Sequence, residues 1–276
     1  MQISPHVYSV HIDDDSFSHP GGSNIFFVGN VSNGMFMIDA GENDDKWINA
    51  ILNGYASLGR PEINGVLITH GHNDHVGGLK RILSEIDAPV FCHPKLVGRL
   101  EKLLVDKVVH PILDNQSVDV AEGVNLLSIF TPGHDETHVC YYINSEEIMF
   151  TGDTVLGSSS STVQDMSAYM DSMHRLSGHK VSTICPAHGA VCFPPVGEQL
   201  ISKYIENRLN RERAIISAIG RGINTVELIV QEIYSPQLNK GLRSAASRNI
   251  VAHLEKLIKE KVVRKNPINF SYVLVG

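Results

Sequence analysis

The 276 residues include 42% hydrophobic and 19% charged side chains, proportions that fit a folded globular chain and exclude a disordered or fibrous one. No apolar run reaches the roughly 18 residues of a membrane span, and the opening MQISPHVYSV lacks the basic and apolar segments of a secretory leader. The net charge of −7 hides an asymmetry: residues 1–200 hold 10 Lys+Arg against 24 Asp+Glu (−14), and residues 201–276 hold 13 against 6 (+7).

In chain order, NIFFVGN (24–30) and GMFMIDAG (34–41) read as a hairpin about Asn33-Gly34. GVLITH (65–70) reads as a buried strand, and VGGLKRILSEI (76–86) as a helix with Leu79, Ile82, Leu83 and Ile86 on one face. APVFCH, VNLLSIF, CYYINS, EIMFTG and VSTICPA follow as short strands, and GSSSST (157–162) as a polar loop. From about Gly197 the texture turns helical. A long amphipathic helix (198–219) ends at Gly220 and Gly222, two more helices cover roughly 225–234 and 242–260, and VVRKNPINFSYVLV closes the chain as a short strand pair. Cys92, Cys140, Cys185 and Cys192 are scattered in or near apolar runs. They predict buried free thiols in a reducing compartment: the cytoplasm, or the mitochondrial matrix if the source is eukaryotic.

Polar residues recur where strands end. After GVLIT come His70, His72, Asp74 and His75; after LLSIF comes His134; after EIMFTG, Asp153; after STICP, His188; after MFMI, Asp39. Strands sharing a sheet and a direction would bring all of these to one edge, where loops converge on ligands. Gly71, Gly77, Gly78, Gly133 and Gly189 read as tight turns beside that edge. So many imidazoles and carboxylates in one place call for a cation. Nitrogen with some oxygen suits Zn²⁺, with Mn²⁺ or Fe as alternatives. His70, His72, Asp74, His75, His134, Asp153 and His188 are too many for one tetrahedral ion and suit two ions sharing a carboxylate, an arrangement made for hydrolysis.

THGHNDHVGG, TPGH, the GD after a strand and PAHG, in that order, resemble the metallo-β-lactamase superfamily. The resemblance implies an α+β fold, an αββα four-layer sandwich over residues 1–196. It also implies two Zn²⁺ ions and a dinuclear hydrolase that uses a metal-bridging hydroxide. Carried over by position, His70, His72 and His134 hold one metal, Asp74, His75 and His188 the other, and Asp153 bridges them. Asp74 also orients the hydroxide, and Asp39 orients a ligand by hydrogen bonding.

Residues 150–262 are similar to the lactamase-beta-like protein 2 group, metal-dependent endoribonucleases on single-stranded RNA. That similarity implies a small C-terminal, helical, winged-helix-like domain at 197–276, with a wing shortened after Lys265. The glyoxalase II group of thioesterases shares the same seven ligands, so the implied partner is either single-stranded RNA or a small acyl substrate (thioester, lactone or β-lactam). No membrane partner is implied, and a homodimer is compatible with the domain. His138, four residues after His134, is expected to face the site as a substrate contact or proton donor, with a surface or supporting position as the alternative. Arg243, Arg248, Lys256, Lys259, Lys261, Arg264 and Lys265 supply charge that could attract phosphates. Ile250, Leu254 and Leu257 say that the same helix packs a core.

Overall fold

The computed structural model describes residues 1–14, 21–235, 237, 240–268 and 270–275. The chain divides into two compact units. The first comprises residues 1–131, 136–160 and 180–198; the second comprises 132–135, 161–179 and 199–276.

The first unit begins with β1 (Gln2–Ser4), β2 (Val7–Ile12), β3 (Ser23–Asn30), β4 (Gly34–Ile38), α1 (Asp45–Ser57) and β5 (Ile63–Leu67). It continues through α2 (Asn73–Val76), α3 (Leu79–Glu85), β6 (Val90–Cys92), α4 (Pro94–Leu103) and β7 (Val109–Pro111). These seven strands form one sheet in sequence order, antiparallel from β1 to β4 and parallel from β4 to β7. A second sheet is made by β8 (Ser117–Ala121), β9 (Val124–Phe130), β10 (Val139–Ile143), β11 (Ile148–Gly152) and β12 (Thr183–Pro186), in the order β12-β11-β10-β9-β8. β11 and β12 are parallel, and the other neighbours run antiparallel.

Alternation along the strands sorts the side chains into two cores. Phe26, Val28, Phe36, Ile38 and Leu67 from the first sheet meet Leu126, Tyr141, Phe150 and Cys185 from the second. Phe27, Met35, Met37 and Val66 point the other way, against Trp47 and Ile51 of α1, Leu79 and Ile82 of α3, and Leu96 and Leu100 of α4. Buried along their whole length, β4 is apolar throughout and β11 is apolar but for Thr151, as expected of strands covered on both sides. α1 and α4 start on capping side chains: Asp44 accepts from the Lys46 amide and His93 from the Lys95 amide. All four cysteines are free and buried.

The second unit holds α5 (Met166–Ser177), most of α6 (Val196–Gly220), α7 (Val226–Ile233), α8 (Lys240–Lys259) and the antiparallel pair β13 (Val263–Lys265) and β14 (Tyr272–Leu274). α5 is capped by Asp165, which accepts from the Ser167 and Ala168 amides, and α7 by Thr225. Ile215, Ala218, Ile229, Val230, Ile250, Leu254, Leu257, Val263 and Tyr272 form its core; on α8, Ile250, Leu254 and Leu257 pack inward as their helical spacing predicts, and Ile258, at the same spacing, is exposed. No helix among the described residues is long and apolar enough to cross a membrane.

Candidate metal centre

The polar strand ends lie on two sheets, not one. Asp39 and His70 follow β4 and β5 of the first sheet; His134, Asp153 and His188 follow β9, β11 and β12 of the second. β4 and β5 are parallel to each other, and β9, β11 and β12 share a direction, so in each sheet the carboxyl ends carry the polar turns. His72 stands at the N-terminal cap of α2, and Asp74 and His75 lie on that helix.

Two ligand groups result. One atom each from His70, His72, His134 and Asp153 lie within 4.8 Å of one another, as do one each from Asp74, His75, Asp153 and His188. The groups share Asp153. His188 Nε2 is 3.2 Å from both Asp74 Oδ2 and Asp153 Oδ1, and His75 Nε2 is 3.6 Å from the same two oxygens. Ligands about 2.1 Å from a tetrahedral ion stand about 3.4 Å apart, so these spacings match a coordination shell. His75 Nε2 is buried and makes no hydrogen bond, and 3.6 Å is too long for one to either carboxylate. The donor set therefore fits a pair of cations.

Supporting groups turn each imidazole. Asp39 accepts from the Thr69 amide and hydroxyl at 2.8 Å each, and its Oδ2 lies 2.8 Å from His75 Nδ1. A carboxylate only accepts, so Nδ1 carries the hydrogen and Nε2 presents its lone pair to the cluster. Asp39 does this from a left-handed backbone (φ 61°), a conformation that Asp tolerates better than most side chains. His70 Nδ1 is 3.1 Å from the Thr69 hydroxyl. His188 Nδ1 is 2.8 Å from Ser23 Oγ, which in turn donates to Asp14. His134 Nδ1 donates to the Thr162 carbonyl at 2.6 Å. His72 differs, turning Nδ1 toward His70 Nε2 at 2.8 Å.

His138 has no exposed surface. Its Nε2 accepts from the Asp153 amide at 3.1 Å, and its Nδ1 lies 2.8 Å from the Thr131 hydroxyl. From this buried position it holds the backbone of Asp153. Gly152, at φ 47°, makes room for it, because a Cβ there would sit 2.6 Å from His138 Nε2. Ser23, Thr69, Thr131 and the Thr162 carbonyl escaped the sequence reading, since hydroxyls and carbonyls carry no spacing signature.

The electrostatics follow from this crowding. Burial pulls the His75 pKa down, but the carboxylates of Asp39, Asp74 and Asp153 outweigh it and hold it well above the usual imidazole value. For His188, burial and the neighbouring His75 lower the value while Asp153 and Asp74 raise it, for a net rise to about 9. The cluster attracts positive charge, whether as protons or as metal ions.

Residues 19–188 match the model of the metallo-beta-lactamase superfamily, and residues 225–268 match that of the beta-lactamase associated winged helix domain. An atrochrysone carboxyl ACP thioesterase of Cryptosporiopsis is 31% identical over 89% of this chain and 77% of its own length. A beta-lactamase-like protein 2 homolog of Drosophila melanogaster is 32% identical over 88% of this chain and 84% of its own. Among solved structures, a beta-lactamase domain protein from Burkholderia ambifaria shares the fold at TM-score 0.83 and 15% identity, over 100% of this chain and 93% of that one. A metallo-beta-lactamase family protein from Thermus thermophilus does so at 0.76 and 19%, over 99% and 100%. With its two His/Asp groups able to hold metal ions and a winged-helix domain following, the chain belongs to the metallo-β-lactamase superfamily, a family of hydrolases.

Proposed function

We propose that the protein is a two-metal hydrolase of acyl thioesters, with lactones and β-lactams as allied carbonyl substrates. The observation that carries the two-metal part is the meeting of both ligand groups at Asp153. In this reading His70, His72 and His134 hold one ion, Asp74, His75 and His188 the other, and Asp153 touches both. The nitrogen-rich sets favour Zn²⁺. Bound there, the ions would supply a hydroxide nucleophile at neutral pH and polarise the scissile oxygen. Asp74, partly exposed beside the buried imidazoles, is the carboxylate placed to orient the attacking oxygen and accept its proton. Asp39, Ser23 and Thr69 keep the rings fixed during the reaction. Residues 1–196 form the hydrolase body, and 197–276 the winged-helix-like appendage.

Two observations favour a carbonyl substrate. The relative named as an ACP thioesterase aligns with nearly the whole chain. In addition, several basic side chains of the first unit are committed: Arg81, Lys95, Lys107 and Lys180 pair with Asp45, Glu136, Asp87 and Glu147, and Arg99 donates to the Gly71 carbonyl. A polyanion would need such charges uncommitted near the site. The second reading, cleavage of single-stranded RNA, is favoured by the +7 charge of residues 201–276. Against it, Lys256 is paired with Glu212 and Glu260, and Lys259 with Asp165.

The test is a paired assay on metal-quantified protein with His72→Ala as control. One arm offers a thioester, lactone and β-lactam panel, the other labelled single-stranded RNA. Thioester turnover lost with chelator and with the variant supports the proposal. RNA cleavage with the same dependence, and no acyl turnover, replaces it by the second reading.

A further inference from the structure

Two buried polar side chains of the second unit are directed at one short segment. Arg208 on α6 is 6% exposed, and its Nη2 donates to the Ser161 carbonyl at 2.7 Å. Asn249 on α8 is 7% exposed; its Oδ1 accepts from the Val163 amide at 2.9 Å, and its Nδ2 donates to the Ser161 carbonyl at 3.3 Å. Thr162, between the two clamped residues, offers the carbonyl that accepts from His134 Nδ1, and Ser161 Oγ stands 3.3 Å from the same nitrogen. The Arg208 guanidinium also lies 5.1 Å from the centre of the Tyr169 ring, on the helix that follows the segment.

Burying a guanidinium and an amide is costly unless each gains defined partners. Here their shared partner is the backbone that sets the hydrogen on His134. A carbonyl cannot donate, so while Thr162 stays in place Nδ1 keeps the proton and Nε2 keeps the lone pair a metal needs. If the segment is freed, the ring can rotate or exchange tautomers.

We infer that Arg208 and Asn249 are positioning residues for the metal ligand His134, acting through residues 161–163. This rests on the two-metal reading above.

The test compares full-length wild type with Arg208→Ala, Arg208→Lys and Asn249→Asp, first metal-free and then titrated with Co²⁺. Long-range ¹H–¹⁵N correlation of the imidazoles in metal-free protein reports the His134 tautomer without reference to any ion, and a His134→Gln sample assigns the signal. The expected result is a single Nδ1–H tautomer in the wild type and a mixture in Arg208→Ala and Asn249→Asp. Those two variants also bind one of the two Co²⁺ ions more weakly, by the roughly 10–100-fold typical of losing a ligand's support. Their visible spectra change, and Arg208→Lys recovers part of both effects. A folded Arg208→Ala or Asn249→Asp with wild-type tautomer, affinity and spectrum overturns the inference. If Arg208→Ala does not fold, the near-isosteric Asn249→Asp decides alone. A wild type with the locked tautomer that takes up only one ion, or none, sinks the two-metal reading instead.

Discussion

Histidine is buried beside charged groups in two places, with opposite results. In the first unit His75 and His188 lie among Asp39, Asp74 and Asp153, and the carboxylates overcome burial to raise both imidazole pKa values. In the second unit His253 is fully buried near Arg208 and Arg211; burial and those cations outweigh the pull of Glu212 and lower its pKa. Burial acts the same way in both places, so the sign of the neighbours decides the outcome. The first environment demands a cation. The second keeps its histidine neutral and belongs to the packing of the helical unit.

The largest expected effect comes from removing the group that joins the two ligand sets. In Asp153→Ala, metal content measured by elemental analysis falls below two ions per chain. Thioester turnover drops by more than the roughly 100-fold that loss of a supporting residue costs. A variant that keeps both ions at wild-type affinity would show that Asp153 is not shared.

A smaller effect separates the two environments by pH. In chelated protein, a His75 and a His188 with raised folded pKa values give stability that is complete below the unfolded value of about 6.5. That stability is lost as pH rises toward the folded value, about 9 for His188. The melting temperature of metal-free protein therefore declines across that window. Metal replaces the protons, so its stabilising effect grows over the same range. Calorimetry on chelated and reloaded samples checks this; a metal-free melting temperature that is flat or rising above pH 6.5 would contradict the role given to the carboxylates.

Much of this centre is legible in the sequence because an apolar strand makes a polar residue at its end conspicuous. Asp39, His70, His134, Asp153 and His188 all stand out that way. Their distribution over two sheets was hidden, since strand direction and partner are set by contacts far apart in the chain. The Ser23–His188 bond, which spans 165 positions, shows why supporting residues escape notice. His138 is hard to place from the sequence, because spacing by four implies a shared face only within a helix. Here the segment leads into β10, and the ring turns under Asp153. Gly77 and Gly78 form the turn between α2 and α3 that the sequence predicts, with right-handed helical dihedrals. Gly78 is required for proximity, since a Cβ there would lie 2.2 Å from the Ala40 carbonyl oxygen. α1 and α4 carry apolar faces and capping residues that a closer count of helical periodicity would have found.

The smallest effect sharpens the other side of the comparison. His253 makes no hydrogen bond through either ring nitrogen, its nearest carboxylate oxygen, Glu212 Oε2, being 3.5 Å from Nδ1. A neutral ring with no hydrogen bond does little that an apolar ring of similar shape cannot do. His253→Phe should thus change stability at pH 7.5 by less than about 1.5 kcal/mol. Its signature lies on the acid side. With a depressed folded pKa, His253 contributes stability that is present above the unfolded value of about 6.5 and is lost as pH falls below it, because only the unfolded state takes up the proton. Glu212, whose carboxyl is held down by Lys256 against the effect of burial, adds a separate loss below its unfolded value of about 4.5. Removing His253 should flatten the stability profile between about pH 6.5 and 4.5 and leave the steeper fall below it. Denaturant titrations of both proteins across that range read the difference directly. An unchanged slope in the variant would mean that His253 keeps its proton in the folded state, and that the cations around it do not set its charge.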